Sequence, residues 1–231
     1  MHCSRRSLAQ KAVFVTGTRT PFAKSFGTLL KMDTLQLASA AVAGLLDKTK
    51  LDPREINHIV WGNVVLQGTM HNCAREIVIE LNLPKSITGN LTSMACASGL
   101  NALAQACMLV ESGHADVVIA GGSDSLSNLE VPLPKSVAHG LMVAQKKGVK
   151  GFFQHAGYNP AAWLPKSVAL AERSTGKTMG WHGDVIGELN NISREAQEAF
   201  AVASHEKANR ATKAGYFKDE IVPVSVEKKG R

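Results

Sequence analysis

Short, continuously apolar runs alternate along the first 125 residues with longer stretches in which apolar side chains recur at i, i+3 and i+4. Ala12–Thr16 reads as a buried strand, followed by the turn-rich Gly17-Thr-Arg-Thr-Pro21. From Asp33, a plausible N-cap, the periodicity of Leu35, Ala38, Val42, Leu45 and Leu46 predicts a helix to Lys48. His58–Leu66 is apolar and β-branched, hence a strand, and Asn72–Leu81 predicts a helix. Ser86–Met94 leans to β, Ala97–Val110 has helical spacing, and Ala115–Gly122 is a short apolar strand ending in paired glycines. Strands that alternate with helices predict an α/β sandwich around a buried sheet.

Beyond Leu129 the pattern changes. Residues 129 to 180 hold Pro132, Pro134, Pro160 and Pro165 among many glycines. They also hold Lys135, Lys146, Lys147, Lys150, Lys166, Arg173 and Lys177 against only Glu130 and Glu172. This reads as a loop-rich, basic insertion, either touching a phosphate-bearing ligand or simply solvated. Ser193 is an N-cap candidate for a helix whose Ala196, Ala199, Phe200, Ala203, Ala208 and Ala211 fall largely on one face. Gly215 ends it, and Glu220–Val226 reads as a strand. The resulting segments are a basic tail or short presequence over 1–11, an α/β core over 12–128, the insertion over 129–192, and a closing helix and strand over 193–231.

A chain of 231 residues can bury a substantial core. Its mean hydropathy of −0.03 is that of a globular protein, and no stretch approaches the ~20 apolar residues that span a bilayer. The net charge of +7 is scattered, and with only three Trp and two Tyr the chain lacks stacking platforms, which argues against nucleic acid. The balance fits anionic small molecules or an organellar setting. The N-terminus carries Arg5 and Arg6, and no acidic residue precedes Asp33. That composition suits a short mitochondrial presequence or a disordered basic tail. Cys3, Cys73, Cys96 and Cys107 form no CxxC pair, so neither a disulfide framework nor a metal site is expected.

Cys96 carries the candidate chemistry. It stands where the β-leaning run gives way to the helix of small residues, so its sulfur lies near the unpaired N–H groups of a first turn. Those partial charges favour thiolate over thiol by roughly 0.3–2 kcal/mol, about one pKa unit. That assists a nucleophile without completing a catalyst. Cys107 reads as core, and Cys73, Asn72 and Arg75 as structural.

The ordered motifs resemble the N-terminal half of a thiolase. They are Arg19-Thr-Pro-Phe22, Gly62-Asn-Val64, Asn72-Cys-Ala-Arg75, Cys96-Ala-Ser-Gly99, and Gly113–Gly122 with Ser125 and Ser127. Thr178-Met-Gly180, Ile192-Ser-Arg-Glu195, Ser204-His205 and Gly215–Pro223 continue the series. The wording Thr-Ser-Met-Ala-Cys96 is most similar to the trifunctional, mitochondrial type of thiolase. The resemblance implies a layered α/β/α sandwich with an inserted loop domain, the C-terminal thiolase domain being absent.

It also implies an acyltransferase that cleaves 3-ketoacyl-CoA in fatty acid β-oxidation, with Cys96 as the acyl-accepting nucleophile. Coenzyme A enters as substrate, and no bound cofactor or metal is expected. The implied partners are CoA thioesters, a second copy in a dimer or higher oligomer, and an alpha-type subunit for the trifunctional type. The implied compartment is the mitochondrial matrix ahead of peroxisome or cytosol. Family members use a histidine in Gly-His-Pro and a cysteine in Cys-x-Gly for proton transfer. None of the eight histidines here precedes proline, and no Cys-x-Gly occurs. The alternatives are a non-catalytic thiolase-like binding or dimerisation module, and a biosynthetic acetoacetyl-CoA thiolase. Most thiolases read Met-Gly-x-Thr-Ala-Glu where this chain reads Met179-Gly-Trp-His-Gly-Asp184. His182 is therefore a candidate for acyl or CoA binding, against its reading as a solvated loop histidine.

Overall fold

A computed structural model describes residues 11–165 and 171–226. The basic stretch up to residue 10 with Cys3, Lys166, and the Lys228–Arg231 terminus lie outside the described residues. The chain divides into two compact units, one running to Leu129 and resuming at Gly215, the other Glu130–Ala214.

In the first unit, β1 (His58–Gly62) lies between β2 (Thr88–Thr92) and β3 (Val118–Gly122), both parallel to it. Gly62 is opposite Thr92 and Gly122, so all three carboxyl ends finish level. Alternation along the strands sends Ile59, Trp61 and Ile119 to one face. There they pack with Ala38 and Val42 of α1 (Thr34–Thr49) and with Cys73, Ala74, Ile77 and Val78 of α2 (Cys73–Glu80). Val60, Val118 and Ala120 face the other way, onto Ala102 and Ala106 of α3 (Ser98–Glu111). Each fully buried Val or Ile contributes about 1.5–3 kcal/mol, which makes these three layers, α/β/α, the core of the unit. Asp33 closes a capping box with Gln36, and the Asn72 side chain accepts from Arg75 N–H, so both helices begin where the caps place them.

Two expected strands do not form. Neither Ala12–Thr16 nor Glu220–Val226 is a strand; the one bridge nearby joins Ile221 to Arg19, in the turn that follows the first segment. Arg19 N–H donates to Glu220 C=O at 2.7 Å, and Val222 N–H donates to Arg19 C=O at 2.8 Å. Val15 remains 84% exposed. An apolar β-branched run supplies a strand's side chains, but a strand also needs a partner edge, and neither segment ladders onto β3. β1 also ends at Gly62, not Leu66, because the Asp124 carboxylate draws off the N–H groups of Val64 (3.0 Å) and Val65 (2.7 Å).

The second unit is helical where a loop-rich insertion was expected. α4 (Lys135–Ala156) bends sharply at Gly148, whose φ of +63° belongs to glycine. The halves fold back on each other: a Cβ on Gly140 would lie 2.9 Å from Phe152 C=O. Proline and glycine thus mark a helix start and a hairpin bend here, not the absence of helices. A 3₁₀ turn (Pro160–Trp163), α5 (Met179–Leu189) and α6 (Arg194–Lys213) follow. α6 begins at its Ser193 cap and groups with this unit, which continues to Ala214 where a new segment was expected from 193. Its apolar face stays open, Phe200 being 79% exposed. Among the described residues no helix is long and apolar enough to cross a membrane.

Candidate active site

Parallel sheets present ligands at the carboxyl ends of their strands, and Cys96 stands there, between the end of β2 at Thr92 and the start of α3 at Ser98. The connection is a tight elbow. Ala97 N–H donates to Met94 C=O at 3.0 Å, and Ser98 N–H donates to Ala95 C=O at 3.1 Å. Ala95 takes the left-handed conformation, φ 45°, at a cost of roughly 1–2 kcal/mol for a residue with a Cβ. The elbow therefore holds its shape only through its contacts.

Three sets of contacts supply them. The buried Ser98 hydroxyl accepts from Met94 N–H (2.8 Å) and donates to Ala95 C=O (2.6 Å), bridging the residues on either side of the bend. Behind it, the buried Thr92 hydroxyl accepts from the Asn101 side-chain amide (2.6 Å) and the Gln105 side-chain amide (3.1 Å), tying strand end to helix. Asn90 extends this polar strip, donating to Gln105 Oε1 (3.1 Å) and meeting His58 Nε2 (2.7 Å). Finally, a Cβ on Gly62 would lie 2.8 Å from Ser98 C and O, so only glycine lets the end of β1 seat the first turn of α3.

The Cys96 side chain is exposed, and no side chain caps α3. No histidine ring among the described residues is hydrogen-bonded to it. Cys73 contrasts: it is fully buried beneath the sheet, and desolvation pushes its thiol up to about 12 despite a contact with the Ser123 hydroxyl. Cys107 is half-buried on α3. Asn72 caps α2 and donates to Gly89 C=O (3.0 Å), while Arg75 donates to Ile87 C=O (2.9 Å). Both tie α2 to the approach of β2.

His182 belongs to the other unit, so the two candidate residues are described separately. It lies within α5, not on a solvated loop, because the Thr178 hydroxyl caps that helix from Trp181 N–H. Its ring meets Trp181 edge-on at 5.0 Å, and its Nε2 is buried with no hydrogen-bond partner.

A cavity of about 460 Å³ lies in the first unit, lined by Phe14, Arg19, Leu37, Val42, Trp61 and Ser125 among others. No cysteine lines it, and its serines and threonines have no histidine among the lining residues to activate them, so the elbow is the better candidate for chemistry. Among the described residues no three His, Cys, Asp or Glu side chains are placed to hold a metal. Gly62 and Ser98 stand in the motifs Gly62-Asn-Val64 and Cys96-Ala-Ser-Gly99 without an assigned role, and Thr92 in the β-leaning run. A glycine inside an apolar β run and a serine two residues after the cysteine were the available signals; nothing in the sequence marks Ala95 as left-handed.

Residues 12–231 match the family described as thiolase, N-terminal domain. A 3-ketoacyl-CoA thiolase of Shewanella woodyi is 34% identical over 220 residues, which cover 94% of this chain and 50% of that protein. A probable 3-ketoacyl-CoA thiolase of Caenorhabditis elegans is also 34% identical over 220 residues, covering 94% and 49%. The chain spans about half the length of the curated relatives it matches. The crystal structure of the Bacillus anthracis acetyl-CoA acetyltransferase superposes with a TM-score of 0.81 at 23% identity, over 96% of this chain and 52% of that one. That likeness concerns the fold.

Proposed function

The chain belongs to the thiolase family, and from this premise we propose that it carries the nucleophile of an acyltransferase that cleaves 3-ketoacyl-CoA. The observation behind the proposal is an exposed Cys96 on a strained, doubly tied elbow at the carboxyl end of a parallel sheet. Relatives named as 3-ketoacyl-CoA thiolases support the choice of substrate.

In this reaction the Cys96 thiolate attacks the 3-keto carbon. The bond between C2 and C3 breaks, and its electron pair leaves with acetyl-CoA, which takes up a proton. The shortened acyl group stays on Cys96 as a thioester until the thiol of a second CoA, giving up its proton, displaces it. Cysteine serves both halves, because its thiolate is a strong nucleophile and a good leaving group. Met94, Ala97 and Ser98 use their N–H groups within the elbow, which leaves the Cys96 backbone N–H as the group proposed to stabilise charge on the thioester oxygen. A β-oxidation role, oligomers including an alpha-type subunit, and a mitochondrial matrix setting complete the proposal, the last resting on the basic N-terminus.

The competing reading, a non-catalytic thiolase-like module, is favoured by the absence of any histidine bonded to Cys96 among the described residues. A thiolysis assay separates the two. The chain, supplied with the C-terminal half of a thiolase relative, is expected to release acetyl-CoA from a 3-ketoacyl-CoA and to lose that release in Cys96→Ala. Turnover that survives the substitution contradicts the assignment.

A further inference from the structure

Ser98 does more at the elbow than begin a helix. Met94 N–H lies outside the regular hydrogen bonds of β2 and α3, and Ala95 C=O, which already accepts from Ser98 N–H at 3.1 Å, has a second lone pair to fill. One hydroxyl serves both, as acceptor at 2.8 Å and donor at 2.6 Å. Few side chains can accept and donate within so small a space, and Ser98 is only 3% exposed, so bulk water does not substitute for it. Between those two bonds stands Ala95, which holds a left-handed backbone that an L residue with a Cβ leaves unless it is restrained. Cys96 follows directly. Its Cα position, and so the direction of its thiol relative to the axis of α3, is set by that restrained residue.

We propose that Ser98 is a positioning residue for Cys96, holding the thiol at the amino end of α3 by locking Ala95 in its left-handed conformation. This rests on Cys96 being the nucleophile. Removing the hydroxyl leaves Met94 N–H without its partner and lets Ala95 relax toward ordinary backbone angles. Cys96 then swings away from the first turn of α3.

The test is alkylation of the 231-residue chain by iodoacetamide across a pH series, with each cysteine followed by peptide mass spectrometry, since thiolate is the reacting form. Ser98→Ala is expected to slow Cys96 roughly two- to fivefold at neutral pH. Cys73 should stay protected and Cys107 should keep its rate, which reports that sheet and helix remain folded. Ser98→Thr, which retains the hydroxyl, should restore the wild-type rate. An unchanged Cys96 profile in Ser98→Ala overturns the proposal. So does Cys73 becoming reactive together with Cys96, because Ser98 would then support the whole fold and not the elbow. The functional reading fails differently: Cys96 would show the predicted alkylation profile yet accept no acyl group from a CoA thioester.

Discussion

Cys73 and Cys96 both stand at the amino end of a helix in the same unit, yet only one is fit to react. Cys73 is the first residue of α2, behind an Asn72 cap, with its sulfur sealed under the sheet. Cys96 precedes α3, which has no side-chain cap, and it is exposed. If the helix field decided reactivity, the two would behave alike. Burial moves the Cys73 thiol up to about 12, several times what a helix terminus can offset. The lesson is an order of effects: access and solvation first, helix field second, and the elbow matters because it supplies the first without losing the second.

The largest expected effect tests the buried side of that comparison. The Cys73 pKa is raised by folding, from an ordinary value near 9.0 to about 12. Its contribution to stability is therefore complete below about pH 9 and is lost as pH rises, because only the unfolded chain can ionise there. The loss is about 1.4 kcal/mol per pH unit. Urea unfolding at increasing pH should show the wild type losing stability more steeply than Cys73→Ala by that amount; equal slopes would mean that burial does not govern Cys73.

Next in size is the seat of the elbow. Gly62→Ala forces a methyl group to within 2.8 Å of Ser98 C and O and should cost on the order of 1–3 kcal/mol in urea unfolding. It should also alter Cys96 alkylation before Cys73 becomes accessible. A neutral substitution would show that α3 can shift freely and that its placement is not set by the glycine. Smaller still is Thr92→Val, which leaves the Asn101 and Gln105 amides without their shared acceptor. A loss of about 1–2 kcal/mol is expected, with a weaker effect on Cys96 than Ser98→Ala because Thr92 lies one step further from the bend. A larger effect from Thr92 would place control of the elbow in the outer tie.

The parts legible in the sequence were those governed by local pattern. Asp33 and Ser193 announced their helices because capping is a property of one side chain and the next turn. β1 and β3 were legible as short apolar runs, because the middle of the sheet is covered on both sides; β2, Thr-Gly-Asn-Leu-Thr, is only partly buried and was legible as a β-leaning run alone. Ala12–Thr16 has the same composition and forms no strand, since pairing depends on a distant edge that local pattern does not encode. In the second unit Pro134 and Gly148 read as loop signals, but their roles, before a helix and at a hairpin bend, depend on how the two halves of α4 meet. At the site, Cys96 and its helix were visible. The Ser98 bridge and the left-handed Ala95 were not, because both arise from closing the elbow in three dimensions.

The central claim is that Cys96, and neither Cys73 nor Cys107, accepts the acyl group. Mass spectrometry of peptides from the chain incubated with a 3-ketoacyl-CoA, alone and with the C-terminal half of a thiolase relative, tests it directly. The account predicts a shortened acyl adduct on the Cys96 peptide that is discharged by added CoA, with Cys73 and Cys107 unmodified. An adduct on another cysteine, or none on Cys96 when the complementing half supports turnover, would contradict it.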